Sequence, residues 1–574
     1  MNTDRMSIDT VVIGAGQAGV AMSEHLCQLD IPHVVLERHQ IAQQWRTGRW
    51  DSLVSNGPAW HDRFPGMAHD ISRDAFVPKD QIADYLEAYA QRFNAPVRTG
   101  VEVTSVERKT GHTGFTVETS KGIIDANHVV VATGPFQHPV IPALAPRDSS
   151  ILQLHSAAYR NPEQLPPGAV LIVGAGSSGV QIADELQRAD RKVYLSMGAH
   201  DCPPRVYRGR DFCWWQAVLG EWDAQTPPHG REHVTLSVSG AHGGQTVDFR
   251  EFAQRGMTLV GTTKSFDSDT VAFEADLLAN IAYNDASYFA FLDAADAYAA
   301  SNGLDLPEEP EARNRLADPP CVTAPLARLD LAAAGVTSII WATGYARDYG
   351  WLKVNAFDAA GKPLHQRGVS SEPGIYFVGL PWLTRRASPL IWGSWYDAKY
   401  IADHIALQRT YAYLHQSDTP LFPAERPCIA QAVDRPASPH IASSGQGHTS
   451  LSLNNGSSQA VRTNNTVYVR GRTDTALDGH LAGRNDPRAQ AERAMMNIRQ
   501  LLREAGSDLS HIVKATIYLL DPRYHEPVHL EVARWLEGAL PITTSLVVSA
   551  LSQPHWLLEI DVTAVIPDGW AAQQ

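Results

Sequence analysis

Ile8-Asp9-Thr10-Val11-Val12-Ile13-Gly14-Ala15-Gly16-Gln17-Ala18-Gly19 carries the decision about the fold. The run to Ile13 has the apolar texture of a buried strand, and the glycines that follow make a tight turn. A helix-like stretch from Val20 to about Leu29 comes next, then a second strand from His33 to Leu36 that ends at Glu37. Together these make a complete βαβ unit. In such a unit Gly14 permits the tight turn, Gly16 lets a pyrophosphate approach the backbone, and Gly19 lets helix and strand pack closely. The helix N-terminus offers unsatisfied N–H groups and the positive end of its dipole to phosphate. Glu37 stands where an acid accepts hydrogen bonds from ribose hydroxyls. The bare alternative is a βα turn with no ligand, and the acid at the strand end favours the nucleotide.

The same unit returns downstream. Ala169 to Val173 reads as a buried strand, Gly174-Ala175-Gly176-Ser177-Ser178-Gly179 as the turn, Val180 to Arg188 as the helix and Lys192 to Leu195 as the next strand. Two copies imply two dinucleotide sites. The second strand end reads Tyr194-Leu195-Ser196-Met197 and carries no acid. An acid there would repel a 2′-phosphate, so Ser196 leaves room for NADPH, and Ser196→Asp is expected to weaken it relative to NADH. Arg205 and Arg208, with His200 and Arg210 nearby, are expected to gather around that phosphate, since the guanidinium fork matches phosphate geometry.

The remaining features bound the class. With 574 residues, 48 Lys+Arg against 62 Asp+Glu and a net charge of -14, the chain is an ordinary globular protein and a poor candidate for coating nucleic acid. Its five cysteines include no CxxC pair, which argues against a disulfide framework or a zinc site. No apolar run nears the roughly 18 residues of a membrane span. The first residues lead straight into a strand with no signal-peptide pattern, so a cytoplasmic location is expected. Prolines crowd between Pro420 and Pro439, and residues 413–452 read as a linker. Beyond it lies an α+β pattern. Val467 to Val469, Ile512 to Leu520, Thr544 to Val548 and Trp556 to Val565 are expected strands, and Gln490 to Glu504 is an amphipathic helix with Ala491, Ala494, Met495, Ile498, Leu501 and Leu502 on one face.

The two glycine loops, the paired Ala132-Thr133-Gly134 and Ala342-Thr343-Gly344, and the segments Val77-Pro78-Lys79-Asp80, Ile340 to Tyr345, Gly374 to Leu380 and Asp397-Ala398-Lys399-Tyr400 resemble a class B flavoprotein monooxygenase. The likeness runs from Met1 to about Gln408 and is closest to the bacterial flavin-containing monooxygenase-like branch. It implies two nested Rossmann-like domains, with FAD in residues 1–160 and 325–412 and NADPH in residues 161–324, which also carry a helical insertion. It implies NADPH reduction of the flavin, reaction with molecular oxygen to a C4a-(hydro)peroxyflavin, and oxygenation of a small substrate. Trp45, Arg46, Ala132, Gly134, Ala342, Thr343, Gly344 and Gly379 then join the cofactor-binding positions. Asn56 matches the family's flavin-facing asparagine, although read alone it is a turn residue before Gly57-Pro58. His155 falls in the family's linker fingerprint and reads as a hinge. Ser149 and Ile151 depart from that fingerprint. Among the tryptophans, Trp392 and Trp395 are the expected pocket residues. Residues 214–320 carry no readable motif.

Ser458 to Arg462, Asn465 to Gly471 and Ile512 to Leu519 resemble the Rid family, which implies a chorismate-mutase-like α+β domain over 453–574 and a homotrimer with clefts between subunits. Thr543 stands in the family's arginine position, Ser457 in its tyrosine position, and Arg470 and Arg472 flank Gly471, while Glu559 matches its acid. Without the arginine fork, bidentate capture of a carboxylate is lost. Imine deamination is therefore not expected, and trimeric assembly or handling of another product is. The expected function is an NADPH- and FAD-dependent monooxygenase of a small, nitrogen-containing molecule. The alternative is an NADPH oxidase that releases hydrogen peroxide, with the Rid-like part a non-catalytic module.

Overall fold

The computed structural model describes residues 5–111, 113–146, 150–225, 236–416, 460–463, 465–472, 486–521, 524–536, 541–548, 551 and 556–567. The chain forms two compact units, Met1–Ser417 and Asp418–Gln574, and their division falls inside the expected linker. Ser457 and most of 413–452 lie outside the described residues.

In the first unit, β1 (Arg5–Ile13), α1 (Gln17–Gln28) and β2 (His33–Glu37) form the expected βαβ unit. Strands β3 (Val97–Thr99), β4 (Val103–Arg108), β5 (Phe115–Thr119) and β6 (Gly122–Val131) complete most of its sheet. The order runs β4-β5-β6-β1-β2-β3, with β1 parallel to both β2 and β6. The first half of β6 pairs antiparallel with β5, and its end pairs parallel with a later strand, Ile375–Phe377. Val11, Val12, Val129 and Val130 are wholly buried because both sheet faces are covered, which is why these strands read as apolar runs rather than alternations.

The second sheet is all parallel. It contains β7 (Leu152–His155), β8 (Ala169–Val173), β9 (Val193–Ser196), β10 (Thr258–Val260) and β11 (Val336–Trp341), in the order β10-β9-β8-β11-β7. Helix α2 (Ser177–Arg188) follows β8. Here the structure corrects the expected boundaries at 161 and 324. Leu152–His155 and Val336–Trp341 belong to the second sheet, with Ile340 opposite Ile172 and Leu154. Trp341 is fully buried in that sheet's own core, so β11 cannot be shared with the first. The first unit ends with β12 (Ile375–Phe377) and the long helix α3 (Ile391–Gln416).

The second unit has a sheet of β13 (Ala460–Thr463), β14 (Thr466–Arg472), β15 (Ile512–Leu519), β16 (Ile542–Val547) and β17 (Leu558–Val565), in the order β13-β14-β17-β15-β16. Helices α4 (Pro487–Glu504) and α5 (His525–Leu536) bury their apolar faces in the same core as β14, β15 and β17. Asp486 caps α4 by accepting from the Arg488 and Ala489 amides.

Candidate functional site

The first glycine loop has the geometry of a nucleotide cradle. Gly14 sits at φ +104°, where a Cβ would stand 2.7 Å from the Ala132 carbonyl oxygen, and a Cβ on Gly19 would overlap the Gly14 carbonyl. Both glycines are therefore required by packing. Gly16 differs: it caps α1 in extended conformation, with no side-chain cap, and a Cβ there meets nothing within 4 Å. The first N–H groups of α1 thus face open space, which suits a pyrophosphate. The Glu37 carboxylate is held at the mouth, accepting from the Ala15 amide at 2.9 Å and the His39 amide at 2.9 Å. Each oxygen keeps a further lone pair for a ribose hydroxyl. Gly134 lies at φ +69° with free space beside it. Gly379, at φ +77°, ends the last strand segment directly against Ala18, where a Cβ would come within 2.6 Å.

Two of the expected cofactor positions do other work. Trp45 donates from Nε1 to Gln17 Oε1 at 3.3 Å, and Gln17 donates to the Pro389 carbonyl at 2.7 Å, so the pair ties the loop to the start of α3. Arg46 is turned to the helix Lys79–Arg92, where it pairs with Asp84 and Glu87, both at 2.8 Å. Both carboxylates are on the surface, and the Arg46 side chain itself is 24% exposed.

The second loop repeats the first. Gly174 is also at φ +104°, a Cβ there would stand 2.5 Å from the Ala342 carbonyl oxygen, and a Cβ on Gly179 would overlap the Gly174 carbonyl. Gly176 caps α2 without a side-chain cap, and Ser177 and Ser178 are its first two residues. Thr343 donates to the Val140 carbonyl at 2.5 Å. Gly344 is at φ +82°, and its carbonyl accepts from His155 Nε2 at 2.9 Å. His155 Nδ1 accepts from the Ala157 amide, so Nε2 carries the proton, and burial lowers the ring's pKa. A neutral ring pinning Ala342-Thr343-Gly344 to the end of β7 is a structural joint.

The expected 2′-phosphate cluster does not assemble. Ser196 is 2% exposed, donates to the Gly261 carbonyl at 2.9 Å and accepts from Thr263 Oγ1 at 2.8 Å. Arg205 is 4% exposed, sandwiched between Phe76 and Phe212 and paired with Asp211. Arg208 is held by Asp296 and the carbonyls of Leu306 and Pro307. A buried guanidinium needs partners, and Arg205 finds them in Asp211 and the Asn56 carbonyl, while those of Arg208 come from the segment that carries no sequence motif.

Asn56 is fixed on three sides. Its carbonyl accepts from Arg205 Nη1 at 2.6 Å, its Oδ1 accepts from Gln181 Nε2 at 2.8 Å, and the Gly57 amide beside it donates to Asp62 Oδ2 at 2.9 Å. Among the described residues its Nδ2 has no hydrogen-bond partner. Asp62 also pairs with His61 Nδ1 at 2.6 Å, while His61 Nε2 accepts from Trp392 Nε1 at 3.2 Å. Burial alone would raise the Asp62 pKa, but the hydrogen bonds from His61 and the Gly57 N–H outweigh it and hold the carboxyl below its ordinary value. Trp60, Trp222 and Trp392 surround the His61 ring. Trp392 therefore stands beside the Asn56 turn. Trp395 does not: it faces α1, donating to Glu24 at 2.6 Å and packing edge-on against His25. His61, Asp62 and Gln181 had no sequence signal, since their roles arise from contacts between distant segments.

In the second unit, the register places Thr543 opposite Ala515, on the helix-covered face of the sheet, and Glu559 opposite Tyr518, on the other face. The two do not share a face. Gly471 lies so close to Glu559 that a Cβ would overlap its carboxylate. Arg470 is exposed, and the Arg472 side chain lies outside the described residues. Asp561, next along the Glu559 face, accepts from the Tyr518 hydroxyl at 3.1 Å.

Among the described residues no group of His, Cys, Asp and Glu could hold a metal, and no helix is long and apolar enough to cross a membrane. Comparison with known proteins matches residues 11–206 to the pyridine nucleotide-disulphide oxidoreductase family and residues 449–566 to the endoribonuclease L-PSP family, that of the Rid proteins. A CzcO-like oxidoreductase of Geobacillus kaustophilus is 35% identical over 69% of this chain and 98% of its own length. A probable indole-3-pyruvate monooxygenase of Arabidopsis thaliana is 29% identical over 31% of this chain and 44% of its own. The flavin-containing monooxygenase of Stenotrophomonas maltophilia shares the fold, with a TM-score of 0.50 and 19% identity over 70% of this chain and 99% of that one. The paired glycine cradles thus sit in a chain that belongs to the CzcO-like oxidoreductases, as an NAD(P)H-dependent, flavin monooxygenase-like enzyme with a Rid domain at its C-terminal side.

Proposed function

We propose that the protein uses NADPH and FAD to insert one atom of molecular oxygen into a small, nitrogen-containing organic molecule. The observation that carries this reading is the doubled cradle with Asn56 beside it: two glycine loops at the same φ, and one neutral amide with a free N–H donor. The loop residues Gly14, Gly16 and Gly19, with Glu37, would hold FAD, and Gly174, Gly176, Ser177, Ser178 and Gly179 would hold the nicotinamide nucleotide. Bound flavin supplies hydride acceptance and oxygen activation, the chemistry that no side chain provides. The chain's own part is to place and shield. Asn56 donates a hydrogen bond without delivering a proton, and Trp392, Trp222 and the His61–Asp62 pair buttress the turn that carries it.

The nitrogen preference rests on the attached Rid domain, because oxidised amines yield imines. That domain serves assembly: its edge strand β16 exposes Ile542 (74%) and Val547 (57%), apolar surface that a further subunit would cover. The test is turnover in ¹⁸O₂ with panels of amines, sulfides and ketones. A product bearing one ¹⁸O atom, with peroxide falling below NADPH consumed, is the expected result. Peroxide equal to NADPH across every panel would replace this reading with an NADPH oxidase.

A further inference from the structure

Gln181 lies on α2, one turn beyond the second glycine loop, and is 8% exposed. Its Nε2 donates twice: to the Val238 backbone carbonyl at 2.7 Å and to Asn56 Oδ1 at 2.8 Å. The order of dependence follows from chemistry. A side-chain amide can flip, but a backbone carbonyl only accepts. Val238 therefore dictates that Gln181 presents its NH₂ group. That NH₂ group in turn demands an oxygen from Asn56, which turns the Asn56 Nδ2 away from α2. A flip of either amide would set two donors or two acceptors against each other at the buried Gln181 side chain, although Asn56 itself is exposed.

The Val238 carbonyl is itself anchored to the second loop. Ser177 Oγ donates to the Leu236 carbonyl at 2.6 Å, and Ser237 Oγ donates to the Ala175 carbonyl at 2.6 Å. The segment Leu236–Val238 thus lies along the second cradle, bonded to two of its residues. A continuous path runs from the loop that would carry the nicotinamide nucleotide, through Val238 and Gln181, to the Asn56 amide.

We propose that Gln181 is a positioning residue that fixes the orientation of the Asn56 amide and couples it to nucleotide occupancy of the second glycine loop. This rests on the reading of Asn56 as the flavin-facing group. Ser177 is the point of entry, because a pyrophosphate at the α2 N-terminus competes with the Leu236 carbonyl for its hydroxyl. Any shift of Leu236 is passed to Val238 and so to Gln181.

The experiment compares the FAD-loaded wild-type protein with Gln181→Met, Gln181→Glu, Gln181→Lys and Asn56→Ala. Each is titrated with NADP⁺ while the visible flavin spectrum is recorded without turnover. Peroxide release from NADPH is then measured without added substrate. Gln181→Met keeps length and helix propensity but removes the donor. Gln181→Glu reverses the demand on Asn56 and draws Nδ2 toward α2. Gln181→Lys restores donors to both carbonyl oxygens.

The expected result is full FAD occupancy in all four variants. The NADP⁺-induced spectral shift is lost in the Met, Glu and Asn56→Ala proteins and kept in the Lys protein. Substrate-free peroxide release rises about tenfold where the shift is lost, the scale of one hydrogen bond. If Asn56→Ala loses the shift and Gln181→Met keeps it, the positioning role is overturned while the Asn56 reading stands. If Asn56→Ala itself leaves the shift and the peroxide rate unchanged, the Asn56 reading fails and takes this proposal with it.

Discussion

Gly16→Ala separates a ligand's requirement from the fold's own. Gly16 has φ -79° and ψ -170°, a conformation alanine adopts without strain, and the added methyl meets no atom within 4 Å. Alanine is a poorer N-cap than glycine by a few tenths of a kcal/mol up to about 1 kcal/mol. It also restricts the unfolded chain, which returns about 0.4–1 kcal/mol. The two terms nearly cancel, so the thermal midpoint of the FAD-free protein should move little. Bound FAD experiences the substitution differently, because the methyl enters the space its pyrophosphate needs. Overpacking of that kind costs about 1–3 kcal/mol, or about 5- to 150-fold in affinity. The assay is a titration of FAD-free protein with FAD, followed by flavin fluorescence, beside a melt of the same sample. Gly19→Ala is the control: its methyl overlaps the Gly14 carbonyl, so it should lower the FAD-free melt itself. Unchanged FAD affinity in Gly16→Ala would refute the cradle, and a large drop in its FAD-free melt would show that Gly16 serves the fold alone.

Four further outcomes are expected. Ser196→Asp should lower the melt by the equivalent of about 3 kcal/mol, since it buries a carboxylate against the Gly261 carbonyl, while the NADPH/NADH preference, read from steady-state kinetics, stays put. Asp62 has a folded pKa below its unfolded value, so its stabilisation is complete above the ordinary carboxylate pKa and disappears as pH falls through the lowered folded value. Asp62→Asn should therefore flatten the acid limb of melting temperature against pH. Glu531 is 2% exposed and accepts from Arg488, Arg534 and Trp535, but both arginines are more than half exposed, so Glu531→Ala should cost about 1–3 kcal/mol in the Rid domain, measured by hydrogen exchange on α4 and α5. Ile542→Lys with Val547→Lys should reduce the mass measured by light scattering, and an unchanged mass would rule out β16 as the assembly edge.

Local signals carried the first reading far. Both βαβ units, the roles of Gly14 and Gly174 and the amphipathic α4 follow from residue spacing, because the chemistry lies within about twenty residues of chain. The boundaries at 161 and 324 were less legible, since Val336–Trp341 is equally apolar whichever sheet receives it. Ser196 shows another limit. The sequence gives the absence of an acid at that strand end, but only the fold shows that the hydroxyl points inward to Gly261 and Thr263. Trp392 and Trp395 are alike in sequence and sit three residues apart on one helix, yet one meets His61 and the other Glu24.

The sequence by itself determined the two nucleotide cradles and the presence of a separate C-terminal α+β domain, because glycine spacing and apolar periodicity act over short stretches of chain. The tertiary structure alone decided which polar groups remain available. Arg205 and Arg208 are held by carboxylates and carbonyls, while the Asn56 carbonyl and Oδ1 are satisfied by Arg205 and Gln181 and the next amide by Asp62, which leaves its Nδ2 as the donor still available. Partners of that kind are set by through-space proximity, and buried polar groups must find them wherever the fold places them.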